Sequence, residues 1–218
     1  MMLSNTHVAH VIEEVKKVVV GKDDVICKIM AAILMQGHIL IDDIPGVGKT
    51  TMALAFAKAM DLQQKRMQFT PDVLPSDVTG YFMYDHKEGT FEYKEGPVMS
   101  ELFLADEINR TSPKTQSALL EVMEERRITI DGHTLPVPRP FIVIATQNPS
   151  GSAGTQPLPD SQMDRFMVCL HMGYPGEQEE IEILKRRTRR NPLDDVKAVM
   201  GKQELLDIQE VMLSCSIY

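Results

Sequence analysis

A short segment that contains two glycines carries the residue types that bind phosphate. Residues 39–41 predict a strand, residues 42–51 read DDIPGVGKTT, and the apolar spacing of residues 52–60 predicts a helix. The segment matches the end of the pattern G-x-x-x-x-G-K-[ST], in which backbone N–H groups and a helix N-terminus surround phosphate oxygens. We therefore predict a phosphate-binding loop between the strand and the helix.

Each polar position of this loop has a role in that chemistry. Gly46 and Gly48 lack a Cβ and let the backbone take unusual angles close to a phosphate. Lys49 is expected to neutralise the terminal phosphates, and Thr50 to ligate Mg²⁺. Asp43 stands where the first glycine of the pattern usually lies. An ordinary glycine turn before a helix is therefore the alternative at this point.

Two more polar clusters follow uninterrupted apolar runs. Asp106 and Glu107 follow residues 102–105, and Asn148 follows shortly after residues 141–145. Such runs are typical of parallel strands that are covered on both faces. Because ligands bind at the carboxyl ends of parallel strands, we expect the loop, the two acids and Asn148 to meet at one edge of one sheet.

This set of side chains matches the requirements of phosphoryl transfer. Asp106 would hold Mg²⁺ opposite Thr50, Glu107 would act as general base on the attacking water, and Asn148 would bind the water and the γ-phosphate. An acidic pair at a helix N-terminus is the alternative for the two carboxylates. Arg165 and Arg110 are candidates for the cation that a neighbouring molecule supplies, and an ordinary ion pair is the alternative for each.

Composition limits the class of protein. The chain has 218 residues and a net charge of -8, so its surface as a whole should not attract nucleic acid or anionic membranes. The three cysteines, Cys27, Cys169 and Cys215, include no C-x-x-C pair. They are expected to be buried thiols in a reducing compartment, with no zinc site. Residues 8–19 predict an amphipathic helix instead of a signal peptide, which favours a cytoplasmic protein.

Two hairpins are predicted beside the main strands. Residues 81–84 and 91–94 form one, which carries five of the twelve aromatic residues, and residues 127–130 and 134–137 form the other around Asp131 and Gly132. The aromatic residues either pack on the domain or contact a partner. The motif N-K-x-D is absent from the sequence, which argues against a GTPase.

Several longer motifs resemble those of the MoxR-type AAA+ ATPases, over residues 20–175. The similar segments are PGVGKT (45–50), QFTPD (68–72), LPSD (74–77), ADEINR (105–110), PKTQSALLE (113–121), ATQNP (145–149) and DRF (164–166). The resemblance implies an α/β fold of the P-loop NTPase type. This fold is a three-layer α/β/α sandwich with a central parallel five-stranded sheet and inserted β-hairpins.

The resemblance also implies roles for individual residues, with ATP and Mg²⁺ as cofactors. Asp106 and Glu107 correspond to Walker B, Asn148 to sensor 1, and Arg165 to the arginine finger that contacts the ATP of a neighbouring subunit. Walker A corresponds to Gly46, Val47, Gly48, Lys49, Thr50 and Thr51.

The resemblance divides the chain into two parts. Residues 1–175 are expected to form the AAA+ nucleotide-binding domain, with a helix-2 insert at about 73–98 and a pre-sensor-1 hairpin at about 127–137. Residues 176–218 are expected to be a linker and the start of a helical lid that is truncated or missing, without a sensor 2 residue. The basic run Lys185, Arg186, Arg187, Arg189 and Arg190 either lines a subunit interface or is a solvated helix end.

The function that the resemblance implies is Mg²⁺-dependent ATP hydrolysis by a hexameric ring. The energy would drive chaperone-like remodelling of client proteins or cofactor insertion into them, often with a partner that contains a von Willebrand factor A domain. One alternative is a nucleotide-binding module with little hydrolysis, because the lid is missing. Another is a nucleic-acid motor, against which the acidic charge counts.

Overall fold

The computed structural model describes residues 2–42, 46, 48–148, 158–187 and 191–214. The helices are α1 Met2–Lys16, α2 Asp23–Leu34, α3 Lys49–Ala59, α4 Pro75–Thr79, α5 Pro113–Glu125, α6 Asp160–Met163, α7 Glu177–Arg187 and α8 Lys202–Ser214. The strands are β1 Ile39–Asp42, β2 Gln64–Gln68, β3 Gly80–Asp85, β4 Thr90–Glu95, β5 Leu102–Asp106, β6 Arg127–Ile130, β7 His133–Pro136, β8 Ile142–Gln147 and β9 Val168–Leu170.

Five parallel strands form the central sheet in the order β2-β5-β8-β1-β9, which confirms the predicted fold class. Every residue of β5 and β8 is buried, as their continuous apolar runs indicate. In the register of the sheet, Ile41 of β1 pairs with Thr146 of β8. The carboxyl ends of these strands therefore lie side by side, where the phosphate loop begins.

Two hydrophobic cores cover the two faces of this sheet. Alternate residues of β5 divide between them, with Leu102 and Leu104 in one core and Phe103 and Ala105 in the other. Helices α1, α2 and α3 pack in the first core, and α5 packs in the second. The result is the predicted arrangement of three layers.

The region after residue 175 contributes to the first core. Met200 and Leu205 are buried there, and Gln209 Nε2 on α8 donates a hydrogen bond of 2.7 Å to Ile33 O on α2. The described part of this region is therefore anchored on α2 and on the first core. The predicted domain boundary at residue 175 stays a prediction.

Both predicted hairpins are present as antiparallel pairs, β3 with β4 and β6 with β7. Some aromatic residues of the first hairpin pack on the domain, as one interpretation predicts, and another is exposed. The Phe82 ring lies 4.9 Å from the His133 ring of the second hairpin, and Tyr93 donates its hydroxyl hydrogen bond to Thr79 O, whereas Phe91 is 70% exposed.

The short helix α4 precedes this hairpin, although the prolines and aspartates of residues 70–80 interrupt any regular apolar pattern in the sequence. Pro75 takes the first helical position, and the Asp77 carboxylate accepts the Leu74 N–H at 2.8 Å. Proline has no N–H to donate, so it suits the start of a helix as well as a break.

The prediction of buried cysteines was wrong for the thiols that the structure describes. Cys27 and Cys169 are both exposed free thiols, and Cys215 lies outside the described residues. Ile26 and Leu170 are buried beside them in the chain, so each thiol occupies the outward position next to an inward one. None of the described helices is both long and apolar enough to cross a membrane.

Candidate functional site

The described glycines of the phosphate loop have backbone angles that favour glycine. Gly46 has a φ of 89° and Gly48 a φ of 94°, both in the left-handed half of conformational space. A Cβ at either position would have no neighbour within 4 Å, so there is open space beside the loop. Val47 lies outside the described residues.

Lys49 begins α3 and points back to the end of β8. Its ammonium group donates to Gln147 O and to Asn148 Oδ1, each at 3.3 Å, and the residue is only 8% exposed. Thr51 lies on the same helix and lines the cavity described below. The lysine thus joins the loop to the end of β8 and to Asn148, which follows that strand.

Asp106, at the end of β5, accepts a hydrogen bond from a hydroxyl group on each of its carboxylate oxygens. Thr50 Oγ1 donates to Oδ2 and Thr146 Oγ1 donates to Oδ1, each at 3.3 Å. Carboxylate and hydroxyl oxygens are ligands that Mg²⁺ prefers, so Thr50 and Asp106 fit the metal that the sequence predicts. Arg66 Nε also lies 2.6 Å from Oδ2, a contact that the sequence analysis missed.

Glu107 has a left-handed backbone, with a φ of 58°. Its Oε2 accepts from Arg110 at 2.8 Å, its Oε1 accepts from Asn148 Nδ2 at 2.9 Å, and its N–H donates to Thr146 Oγ1. Burial alone would raise the pKa of this carboxyl. The hydrogen bonds from Arg110 and Asn148, with the charge of Lys49, outweigh burial and hold the pKa below its ordinary value.

Asn148 is the centre of this cluster. Its side chain accepts from Lys49 and donates to Glu107, and its backbone bonds with Asn109. Asn109 is 2% exposed and was not among the predicted site residues, although the motif ADEINR contains it. Gln116 in turn donates to the carbonyls on either side of Asn109 and Arg110, at Ile108 and Thr111.

Both candidate arginines contact acids of their own chain. Arg165 follows α6 and forms an ion pair with Glu124 near the end of α5, so this partner lies outside the phosphate loop. Arg110 forms its ion pair with Glu107, at 2.8 Å. The structure therefore brings Arg110, and not Arg165, into direct contact with the acidic pair.

The basic run lies partly outside the described residues, at positions 189 and 190. Arg186 donates to the carbonyl oxygens of Lys16 and Lys17 and to Glu182. It therefore binds carbonyl groups at the C-terminal end of α1, where the helix dipole favours a cation.

A cavity of about 680 Å³ opens next to the loop glycines. Its other walls include residues 18–20, Ile183 and Leu184 on α7, and residues 191–193, with the charged residues Lys22, Glu180 and Arg186 also in the lining. A cavity of this size fits a ligand of nucleotide dimensions. The sequence does not predict the wall at residues 18–20, because the apolar spacing of the first helix continues to residue 19, whereas α1 ends at Lys16 and leaves residues 18–20 lining the cavity.

Comparisons with known proteins agree with this geometry. The family described as "ATPase family associated with various cellular activities (AAA)" matches residues 38–168. The chain is 50% identical to the YeaC protein of Bacillus subtilis and 42% identical to the chaperone MoxR1 of Mycobacterium tuberculosis, over 91% of its length in each case. It also superposes with a TM-score of 0.89 and 42% identity on the crystal structure of a candidate ATPase from Cytophaga hutchinsonii, which covers all of this chain.

The relatives are longer than this chain. The matched region spans 62% of the Bacillus protein, 52% of the Mycobacterium protein and 66% of the Cytophaga chain. The similarity thus concerns roughly the part of each relative that corresponds to the sheet, the phosphate loop and the helices around them.

Proposed function

This chain belongs to the MoxR-type AAA+ ATPases, and from that premise we propose that it binds ATP with Mg²⁺ and hydrolyses the terminal phosphate. One observation carries the proposal. Five side chains from three separate segments meet through hydrogen bonds at the carboxyl edge of the sheet, next to an open cavity, and they are Lys49, Thr50, Asp106, Glu107 and Asn148.

The nucleotide would lie across the loop and the cavity. Its base would contact the apolar walls formed by residues 18–20 and by Ile183 and Leu184, and its phosphates would extend over Gly46 and Gly48 toward Lys49. Gly48 provides no side chain to cap α3, so the first N–H groups of that helix suit phosphate oxygens.

Thr50 and Asp106 would hold Mg²⁺, whose charge, when the ion is bound, draws electron density from the phosphate oxygens. Asn148 would orient the attacking water and the γ-phosphate. Glu107 would take a proton from that water as its oxygen attacks the phosphorus, while the bond to the ADP oxygen breaks.

The contacts of Glu107 also favour a second candidate, a nucleotide-binding module with little hydrolysis. Both carboxylate oxygens already accept a hydrogen bond, one from Arg110 and one from Asn148. Both contacts lower the pKa of Glu107, which makes the carboxylate a weaker base toward water. In the first candidate, a neighbouring subunit or the client loosens at least one of these contacts and so strengthens the base; in the second, nothing does.

Arg165 is proposed as a cation that acts on the nucleotide of a neighbouring subunit in a hexameric ring. Its ion pair with Glu124 keeps a side chain that is 36% exposed near the surface, from where it could exchange to a partner. The name of the Mycobacterium relative supports a chaperone role, and we propose that hydrolysis remodels a client protein. A protein with a von Willebrand factor A domain is the candidate partner.

The test is the ATPase rate per chain, measured with Mg²⁺ over a range of protein concentrations. The wild type is compared with Lys49→Ala, Arg165→Ala and Glu124→Gln. A rate that rises with concentration, disappears in Lys49→Ala and Arg165→Ala, and survives in Glu124→Gln would support an enzyme with a finger in trans. A flat rate near zero with retained nucleotide binding would instead support the binding module.

A further inference from the structure

The carboxylate of Asp106 already holds a cation from its own chain. Arg66 Nε lies 2.6 Å from Oδ2, the same oxygen that accepts from Thr50 at 3.3 Å. The other oxygen, Oδ1, accepts the neutral hydroxyl of Thr146. The arginine thus occupies the side of the carboxylate that faces the second proposed metal ligand.

Strand order explains why Arg66 reaches this position. β2 pairs with β5 in parallel, with Gln68 opposite Asp106, and Arg66 is two residues before Gln68 on the same face of β2. Lys65 points to the opposite face, where its ammonium group contacts Gly96 O and Glu95. A basic residue at position 66, but not at position 65, can therefore reach Asp106.

The burial of the two partners differs. The side chain of Asp106 is 7% exposed, whereas that of Arg66 is 49% exposed. A buried carboxylate without a positive partner is unfavourable, so the guanidinium compensates Asp106 when no metal is present. Because half of the guanidinium side chain is in solvent, Arg66 can turn outward without leaving a buried charge of its own.

A divalent cation at the same oxygen would meet the positive charge of Arg66 at close range. Like charges this close repel, and a largely buried setting screens the repulsion less than bulk water does. Arg66 and the metal are therefore competitors for Oδ2. A nucleotide changes this competition, because its negatively charged phosphates also attract the metal ion and so favour the metal over Arg66 at Oδ2.

We propose that Arg66 is an internal counter-ion of Asp106 that competes with the metal, holding the carboxylate in place in the absence of a metal nucleotide and releasing Oδ2 when one binds. The inference rests on the proposed role of Asp106 as a metal ligand. It makes Arg66 a positioning residue, which acts through Asp106 without contacting the nucleotide.

The experiment measures metal affinity directly, with Mn²⁺ in place of Mg²⁺. Free Mn²⁺ is followed by electron paramagnetic resonance during titration of the full chain saturated with ADP. Removal of the guanidinium in Arg66→Gln should lower the dissociation constant of Mn²⁺ by about tenfold, because it removes the repulsion between a positive side chain and a divalent ion at close range. Lys65→Gln removes the same charge from the neighbouring position and should leave the constant unchanged.

Two further variants complete the design. Arg66→Lys keeps a positive charge at the position and should restore weak Mn²⁺ binding; it also tests the inference if Arg66→Gln does not fold. Asp106→Asn should abolish Mn²⁺ binding if Asp106 is a ligand.

Unchanged or weaker Mn²⁺ binding in Arg66→Gln, together with lost binding in Asp106→Asn, would overturn the role of Arg66 alone. Arg66→Lys that bound Mn²⁺ as tightly as Arg66→Gln would also overturn that role, because the positive charge would then have no effect on the metal. Retained Mn²⁺ binding in Asp106→Asn would overturn the proposed role of Asp106 as a metal ligand as well.

Discussion

Asn109 holds the backbone of Asn148 through two hydrogen bonds. Its Nδ2 donates to Asn148 O at 3.0 Å, and its Oδ1 accepts from Asn148 N–H at 3.3 Å. The Asn148 side chain then contacts both Lys49 and Glu107. Asn109 thus fixes the direction of a side chain that bridges the phosphate loop and the proposed base.

Replacing Asn109 by Ala should reduce both stability and turnover. The variant leaves two buried backbone groups of Asn148 without partners, which costs about 1–3 kcal/mol of unfolding free energy. We expect kcat to fall by at least about tenfold, because the Asn148 side chain loses its fixed position. Nucleotide affinity should change much less, because Asn109 is not among the residues that line the cavity. Urea unfolding, steady-state kinetics and nucleotide titration measure the three quantities.

The matched control is Gln203→Ala, which removes an amide from an exposed bond to Asp207 on α8. It should change the unfolding free energy by no more than about 0.5 kcal/mol and leave kcat intact. A wild-type kcat in Asn109→Ala would contradict the positioning of Asn148 by Asn109.

Glu107→Gln should separate binding from hydrolysis. The amide keeps the size of the side chain but cannot take a proton from water, so turnover should fall by about 10² to 10⁴. Nucleotide affinity should change by only a few fold, since the phosphate-binding groups remain. The control Glu121→Gln alters an exposed carboxyl on α5 and should retain full turnover. Equal turnover in the two variants would remove Glu107 from the role of base.

The residues that meet at the sheet edge could be predicted from sequence because local patterns determine their place. The apolar runs before Asp106 and Asn148 are typical of buried strands, and parallel strands present their carboxyl ends on one side. The family resemblance then supplied roles, which no periodicity can supply.

The missed contacts depend on which elements become neighbours. Arg66 reaches Asp106 only because β2 lies next to β5, and strand order is not encoded in the pattern of either strand. Leu184 lines the cavity only because α7 returns to the turn after α1. Neither residue stands out in the pattern of its own segment. Long-range packing gives them their place at the site.

The apolar wall on α7 gives a third prediction. Leu184 lines the cavity and is 65% exposed, so Leu184→Asp should fold normally. The change removes apolar contact area and adds a negative charge beside an anionic ligand. Affinity for ADP should fall by about 5- to 30-fold, the equivalent of about 1–2 kcal/mol. Isothermal titration calorimetry with ADP measures it.

Leu213→Asp is the control for this charge change. Leu213 is 54% exposed on α8 and is not among the residues that line the cavity. This variant should bind ADP as the wild type does. If both variants lost affinity equally, the effect would come from net charge and not from the cavity wall.

His38 gives a prediction about pH. The residue is 5% exposed; its Nδ1 accepts the Val143 N–H at 3.1 Å, and its Nε2 lies 3.2 Å from Met123 O, so the bonded form is the neutral ring with its proton on Nε2. Burial lowers the pKa of His38 to about 4, and the charge of Arg126 lowers it too, against the opposing effect of the Met123 carbonyl.

Stability should therefore fall as the pH drops from about 6.5, the ordinary pKa of histidine in an unfolded chain, toward 4. In this window the unfolded chain takes up a proton that the folded chain does not, so the unfolded state is favoured. The loss from His38 reaches about 3 kcal/mol at the lower end, at about 1.4 kcal/mol for each pKa unit. Above this window the contribution is constant.

The variant His38→Gln isolates this effect. It should be less stable than the wild type at pH 7.5, by about 1–3 kcal/mol, because Gln cannot reproduce both buried bonds. The other titrating groups are common to both proteins, so the difference in unfolding free energy should shrink as the pH is lowered to 4.5. Urea unfolding at several pH values measures it. Parallel curves for the two proteins would mean that the folded protein protonates His38 as readily as the unfolded chain does.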